Sequence, residues 1–113
     1  MKTGLSDICY GFFSTMANPT RLAILDKLRN ADLNVNQLAA AINQEQSMVS
    51  HNLKPLERCG FVTSTRQGRK RVYRLNRDTV EEIFAIVATH ATRFCPDPGC
   101  CPHSLTRTNR RMN

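Results

Sequence analysis

Leu5, Ile8, Cys9, Phe12, Phe13 and Met16 recur at i, i+3, i+4, i+7 spacing, which predicts an amphipathic first helix. The stripe is more apolar than the first helix of a small domain needs for its own core, which points to a partner surface. Ala17-Asn18-Pro19-Thr20 then restarts the chain. Asn18 is a good cap, and Pro19 suits the first helical position, where a missing N–H costs nothing. The second helix is expected to reach about Arg29 and to bury Leu22, Leu25 and Leu28. Asp32-Leu33-Asn34 breaks it. Asn34 with Gln37 three residues later resembles a capping box, so a short third helix should follow and bury Val35, Leu38, Ala39 and Ile42. Asn43-Gln44-Glu45 is the turn into the next element.

From Gln46 to Leu75 the pattern reads helix, glycine stop, strand, basic turn, strand. The helix carries Gln46, Ser47, Ser50, His51 and Lys54 on a polar side, and Met48 or Val49, Leu53 and Leu56 on the apolar side. It has two imperfections. Glu45 stands where Ser, Thr or Asp would cap better. Pro55 lies inside and deprives the His51 carbonyl of its donor, so a late kink is expected. Gly60 ends the helix by adopting positive φ. The runs 61–66 and 70–75 flank Gln67-Gly68-Arg69, a hairpin with glycine in its turn. Asp78 and Glu81, or Thr79 and Glu82, open a last helix to about Phe94, with Val80, Ile83, Phe84, Val87, Ala91 and Phe94 as its apolar face. The expected fold is mainly α with a β-hairpin wing, a winged helix-turn-helix. Residues 1–94 form the folded domain, and 95–113 form a cysteine-bearing basic tail with three prolines and a glycine at its start.

Charge sharpens this picture. The 113 residues carry 16 Lys and Arg against 9 Asp and Glu, a net charge of +7. Up to Glu45 the two signs balance, four against four, whereas Arg66–Arg77 holds six basic residues and no acidic one. A localised excess of this kind favours a polyanion. A helix with short polar side chains beside an arginine-loaded ribbon suits a major groove and its flanking backbone. No apolar run approaches the roughly 18 residues of a membrane span, and the first residues lack the apolar core of a signal peptide. The expected compartment is therefore the cytoplasm, where the five cysteines are thiols or metal ligands before they are disulfides.

In series, Ala17-Asn18-Pro19-Thr20-Arg21-Leu22-Ala23-Ile24-Leu25, Asn36-Gln37-Leu38-Ala39, Gln46-Ser47-Met48-Val49-Ser50-His51-Asn52-Leu53-Lys54 and Gly60-Phe61-Val62 with the Gly-Arg-Lys-Arg ribbon tip resemble the ArsR/SmtB family of winged-helix repressors. The resemblance covers roughly residues 5 to 94. It implies a homodimer built on the first and last helices, bound to a double-stranded, pseudo-palindromic operator and released by an inducer. On that footing Gln46, Ser47, Ser50 and His51 would face base edges, with Gln best suited to adenine. Lys54, Arg66, Arg69, Lys70 and Arg71 would meet phosphates, and the two heads should lie about one helical turn apart, roughly 34 Å.

The family's usual inducer sites do not carry over. Arsenite and cadmium sensors often place Cys-x-Cys at the start of the third helix, where this chain has Asn34-Val35-Asn36. Zinc sensors place Asp and His ligands along the last helix, where only Asp78 and His90 stand here. The alternative is Cys95, Cys100 and Cys101, three thiols within seven residues, with His103 beside them. Three thiolates suit a trivalent arsenic or antimony centre. Cadmium, lead or zinc would add a fourth ligand, His103 or Cys9. Cys9 also lies on the apolar stripe, where it reads as a small hydrophobe before a ligand. A thiol switch, in which two of these cysteines form a disulfide or polysulfide, is the second reading; a structural zinc is a weaker one. A Cys101–His103 nucleophile lacks an orienting third group and an oxyanion site, so no enzyme is expected.

Overall fold

The computed structural model describes residues 4–95. In chain order they form α1 (Leu5–Met16), α2 (Pro19–Leu28), β1 (Leu33–Asn34), α3 (Val35–Ile42), α4 (Gln46–Arg58), β2 (Val62–Gln67) and β3 (Lys70–Leu75). A π-helical turn (Arg77–Glu81) and α5 (Glu82–Phe94) follow. The described residues divide into two compact units, one up to Glu81 and one from Glu82.

In the first unit, local chemistry fixes the helix starts. The Asn18 side chain accepts from the Arg21 amide at 3.0 Å, and Pro19 occupies the first turn of α2. At α3 the box closes in both directions: the Gln37 amide donates to Asn34 Oδ1 at 2.8 Å, and the Asn34 amide donates to Gln37 Oε1 at 2.9 Å. Asn43 ends α3 at φ 58°, a left-handed conformation that asparagine tolerates better than most residues. That single residue turns the chain from α3 into α4. Glu45 makes no side-chain cap, and α4 runs through Pro55 to Arg58. Gly60 then takes φ 80°, so a side chain there would meet backbone strain rather than crowding.

The core lies where α2, α3 and α4 face one another. Ile24, Leu25, Leu28, Leu38, Val49, Leu53, Leu56, Phe61 and Val62 are essentially removed from water. Phe12 of α1 reaches this core edge-on against Phe61, with ring centroids 4.7 Å apart. Three apolar positions depart from expectation, Leu22 on α2 and, on α3, Val35 and Ile42, which are only half-buried. Leu22, expected inside, is exposed, and Ile24 takes its place. Helix α2 is apolar at four consecutive positions from Leu22 to Leu25, so periodicity alone does not choose its face. On α4, Val49 is buried and Met48 is 46% exposed.

The sheet has a strand that the hydropathy pattern does not reveal. Asp32-Leu33-Asn34 is more than a break, because Leu33 and Asn34 pair antiparallel with Tyr73 and Val72. The order is β1-β3-β2, which ties the base of the hairpin to the start of α3. The hairpin itself pairs Gln67 with Lys70, leaving a two-residue loop, Gly68-Arg69, one shorter than expected. Gly68 leads that loop at φ 65°, as a tight primed turn requires. Three helices followed by a hairpin wing on this sheet make a winged helix-turn-helix.

The approach to α5 also departs from the pattern. Residues 77–81 form a wider π turn instead of α-helix. Arg77 Nη1 donates to Glu81 Oε1 at 2.8 Å and Nη2 donates to the Leu28 carbonyl at 3.2 Å. Val80 is fully buried as part of the first unit. In the second unit, α5 buries none of its residues: Val87 and Phe94 of the expected apolar face are 56% and 68% exposed, and Ile86 is 67% exposed.

Candidate nucleic-acid interface

All nine residues expected to meet nucleic acid are at the surface. Gln46, Ser47, Ser50, His51 and Lys54 are exposed along α4, and Arg66, Arg69, Lys70 and Arg71 are exposed on the hairpin. The core residues Val49, Leu53 and Leu56 hold the opposite side of α4, so helical periodicity turns Ser47, His51 and Lys54 straight outward. Gln46 and Ser50 lie on the flank shared with Glu57. That flank faces the hairpin, because Ser64 Oγ on β2 donates to Glu57 Oε2 at 2.8 Å. Arg71 Nη1 in turn donates to Ser64 Oγ at 3.1 Å. The chain Arg71–Ser64–Glu57 therefore braces the wing against the outward-facing helix.

The basic residues of the ribbon separate into two groups. Arg74 is committed to Asp32 at 3.2 Å, and Arg77 to Glu81 at 2.8 Å. The side chains of Arg66, Arg69 and Lys70 make no hydrogen bond or ion pair among the described residues. The surplus charge is thus concentrated toward the hairpin tip, and the tip borders an open depression of ≈ 340 Å³ with Asn34, Val35 and Asn36 on its other wall. Charge counting along the sequence does not separate these groups, since Asp32 lies 42 positions from Arg74.

Tyr73, paired with Ser64 across the strands, has its phenol pushed above the ordinary tyrosine range. Burial is the main cause, the negative charge of Glu57 adds to it, and Arg71 opposes it. The hydroxyl beneath the wing is therefore neutral at physiological pH.

Two residues that sequence reasoning passed over hold α4 from behind. Asn52 is 5% exposed, a polar side chain within an apolar core. Its Oδ1 accepts from Arg21 Nε at 3.0 Å, and its Nδ2 donates to the Met48 carbonyl at 3.0 Å. Arg21 also donates from Nη1 to the Thr15 carbonyl at 3.0 Å. The only local signal was an asparagine inside the apolar side of a helix.

Of the cysteines among the described residues, Cys9 and Cys95 are half-buried free thiols, one in each unit, and Cys59 is an exposed thiol whose Sγ lies 3.9 Å from Thr15 Oγ1. Cys100, Cys101 and His103 lie outside the described residues. Among the described residues no three His, Cys, Asp or Glu side chains converge on a metal position. No helix among them is long and apolar enough to cross a membrane.

The sequence profile described as bacterial regulatory protein, arsR family, matches residues 18–64, the span from the α2 cap into β2. The transcriptional regulator NmtR of Mycobacterium tuberculosis is 43% identical over 76 residues, 67% of this chain and 63% of its own length. The nodulation protein NolR of Rhizobium meliloti is 34% identical over 83 residues, 74% of this chain and 68% of its own. This chain belongs to the ArsR family. Among solved structures, an Mb0332 fragment from Mycobacterium bovis superposes with a TM-score of 0.71 at 31% identity, covering 79% of this chain and 82% of that one. That fragment is described as a homodimeric winged helix-turn-helix DNA-binding domain. Against NmtR, the matched stretch of this ArsR-family chain spans less than two thirds of the relative's length.

Proposed function

We propose that this protein is a transcriptional repressor that binds operator DNA as a homodimer and is released when a soft metal or metalloid binds its C-terminal cysteines. The observation that carries the DNA reading is the division of α4. Its apolar side is locked into the core, and its short polar and cationic side chains are exposed beside a wing whose tip cations have no partner among the described residues. Gln46, Ser47, Ser50 and His51 have the lengths and donors to reach base edges in a major groove. Met48, exposed on the same helix, adds an apolar group suited to a thymine methyl. Lys54, Arg66, Arg69 and Lys70 supply phosphate contacts, and Arg71 reaches the backbone from its brace on Ser64.

Dimer formation is supported by the apolar faces that each unit leaves in water. Leu5, Ile8 and Phe13 of α1 are 76%, 55% and 51% exposed, and α5 buries none of its residues. Contiguous apolar faces of this kind mark interaction surfaces, and a two-fold dimer presents two identical reading heads to a pseudo-palindrome. The experiment is selection of duplexes from a random pool. The protein should enrich a pseudo-palindrome with half-sites about one helical turn apart, and enrichment of no sequence would refute the DNA reading.

The inducer site rests on Cys95, Cys100 and Cys101. Three thiolates favour arsenite or antimonite, and His103 or Cys9 can complete a four-coordinate cadmium, lead or zinc site. The Asn34-Val35-Asn36 wall beside the wing contains no sulfur, which supports a sensor elsewhere in the chain. The same clustering also favours a second reading, in which the repressor is released without a metal. An oxidant such as peroxide, itself reduced to water, takes two electrons and two protons from two of these thiols to form a disulfide, or a sulfane-sulfur donor converts them to a polysulfide. Retention of ion-induced release under reductant separates the two.

A further inference from the structure

We propose that Arg21 and Asn52 are positioning residues of DNA reading, linking the end of α1 to the first turn of the reading helix α4. The inference rests on the DNA reading above. A continuous polar chain runs through the helices. The Thr15 carbonyl accepts from Arg21 Nη1, Arg21 Nε donates to Asn52 Oδ1, and Asn52 Nδ2 donates to the Met48 carbonyl, each at 3.0 Å.

Each end of this chain is informative. Thr15 belongs to the last turn of α1, where carbonyls have no donor in their own helix. The neighbouring Phe13 and Met16 carbonyls are met by the Ala17 and Asn18 amides, and Arg21 serves Thr15. Met48 belongs to the first turn of α4, among Gln46, Ser47 and Ser50. Arg21 is itself anchored, since its amide donates to the Asn18 cap. Arg21 therefore ties the end of α1 and the middle of α4 through its guanidinium, and the start of α2 through its amide.

The physical need for such a link follows from the rest of the core. Val49, Leu53 and Leu56 hold α4 by apolar burial, which is strong but non-directional and tolerates small rotations about the helix axis. Hydrogen bonds demand distance and angle. At 5% exposure, Asn52 would incur a large desolvation cost if turned away from Arg21. The network thus sets the rotation of α4, and with it the aim of side chains that must meet base edges within hydrogen-bond range. Phosphate contacts from long, flexible cations are far less sensitive to that rotation. The link also begins at α1, whose apolar face is exposed, so a displacement at the end of α1 reaches the reading turn directly.

The test uses a duplex enriched by the unaltered full-length chain and a base-shuffled duplex of the same length, with anisotropy titrations of Arg21→Gln, Asn52→Leu and Asn52→Asp. Arg21→Gln and Asn52→Leu should lower the ratio of affinities for the enriched over the shuffled duplex about tenfold or more, as expected from misaiming a good base contact. Their salt slope on shuffled DNA should stay unchanged. Asn52→Asp keeps an acceptor for Arg21 Nε but loses the donor to the Met48 carbonyl, so its discrimination should fall less than that of Asn52→Leu. A purely structural role would lower the melting temperature and leave the ratio intact in variants still folded at the assay temperature. Circular dichroism accompanies each variant, and if Arg21→Gln is unfolded, the Leu and Asp variants of Asn52 decide. An unchanged ratio in Asn52→Leu, or an equal fall in Asn52→Leu and Asn52→Asp, overturns the proposal. If the unaltered chain does not prefer the enriched duplex, the DNA reading itself falls, and this proposal with it.

Discussion

Replacing Arg69 by Gln should flatten the salt dependence of DNA binding, whereas replacing Arg74 by Gln should leave it unchanged. Both are arginines of the same ribbon, but Arg74 lies 3.2 Å from Asp32, and Arg69 has no such partner among the described residues. Each phosphate neutralised releases counterions, contributing about −0.9 to the slope of log affinity against log salt. A dimer loses two such contacts per substitution, so Arg69→Gln should reduce the magnitude of the slope by about 1.8. Between 50 and 200 mM salt, that difference changes the affinity ratio of the two proteins by about tenfold. Arg66→Gln and Lys70→Gln should behave as Arg69→Gln does. Arg74→Gln should cost at most about 1 kcal/mol of stability, because its ion pair is solvent-exposed. Fluorescence anisotropy on one enriched duplex over a salt series measures all four. Equal flattening by Arg74→Gln and Arg69→Gln would refute the division of the ribbon. An unchanged slope in Arg66, Arg69, Lys70 and Arg71 variants alike would refute the wing as a phosphate contact.

Three further outcomes follow from the core and the turns. Leu53→Ala, at a position 1% exposed, should cost about 2–5 kcal/mol in chemical denaturation; a loss below 1 kcal/mol would contradict the packing of α4. Gly60→Ala forces an alanine to φ 80° with no crowding at its Cβ, so it should cost about 1–2 kcal/mol from backbone strain alone, and a neutral result would contradict the left-handed stop. For Tyr73, burial raises the pKa, so folding favours the neutral phenol. The corresponding stability is fully present below about pH 10 and is lost as pH rises through the higher folded value. An ultraviolet titration should show a phenolate component above the ordinary tyrosine range that Tyr73→Phe removes, and a titration unaltered by that substitution would contradict the assignment.

The parts of the fold legible in the sequence were those specified by neighbours. Asn18 with Pro19, the Asn34–Gln37 box, and the glycines at 60 and 68 each act within four residues, and the structure realises all of them. The exposed positions of α4 were legible because Val49, Leu53 and Leu56 recur at helical spacing opposite them. Long-range choices were hidden. β1 is two residues long and exists only through β3. The inward face of α2 is decided by packing, because Leu22, Ile24 and Leu25 are equally apolar. The pairing of Asp32 with Arg74, and of Arg21 with Asn52, joins positions too far apart for any pattern to show. Residue type therefore identified the candidate interface, while its division into committed and available cations required the fold.

Release from DNA is what an inducible repressor must show above all. Reduced protein on a fluorescent, enriched duplex is titrated in parallel with arsenite, antimonite, cadmium, lead, zinc and peroxide, beside a variant with Cys95, Cys100 and Cys101 all changed to Ser. Release by one or two soft ions is expected in the presence of reductant, with that response lost in the triple variant and its DNA affinity unchanged. Release that persists in the triple variant, or no release by any ion, would contradict an inducer site at these cysteines.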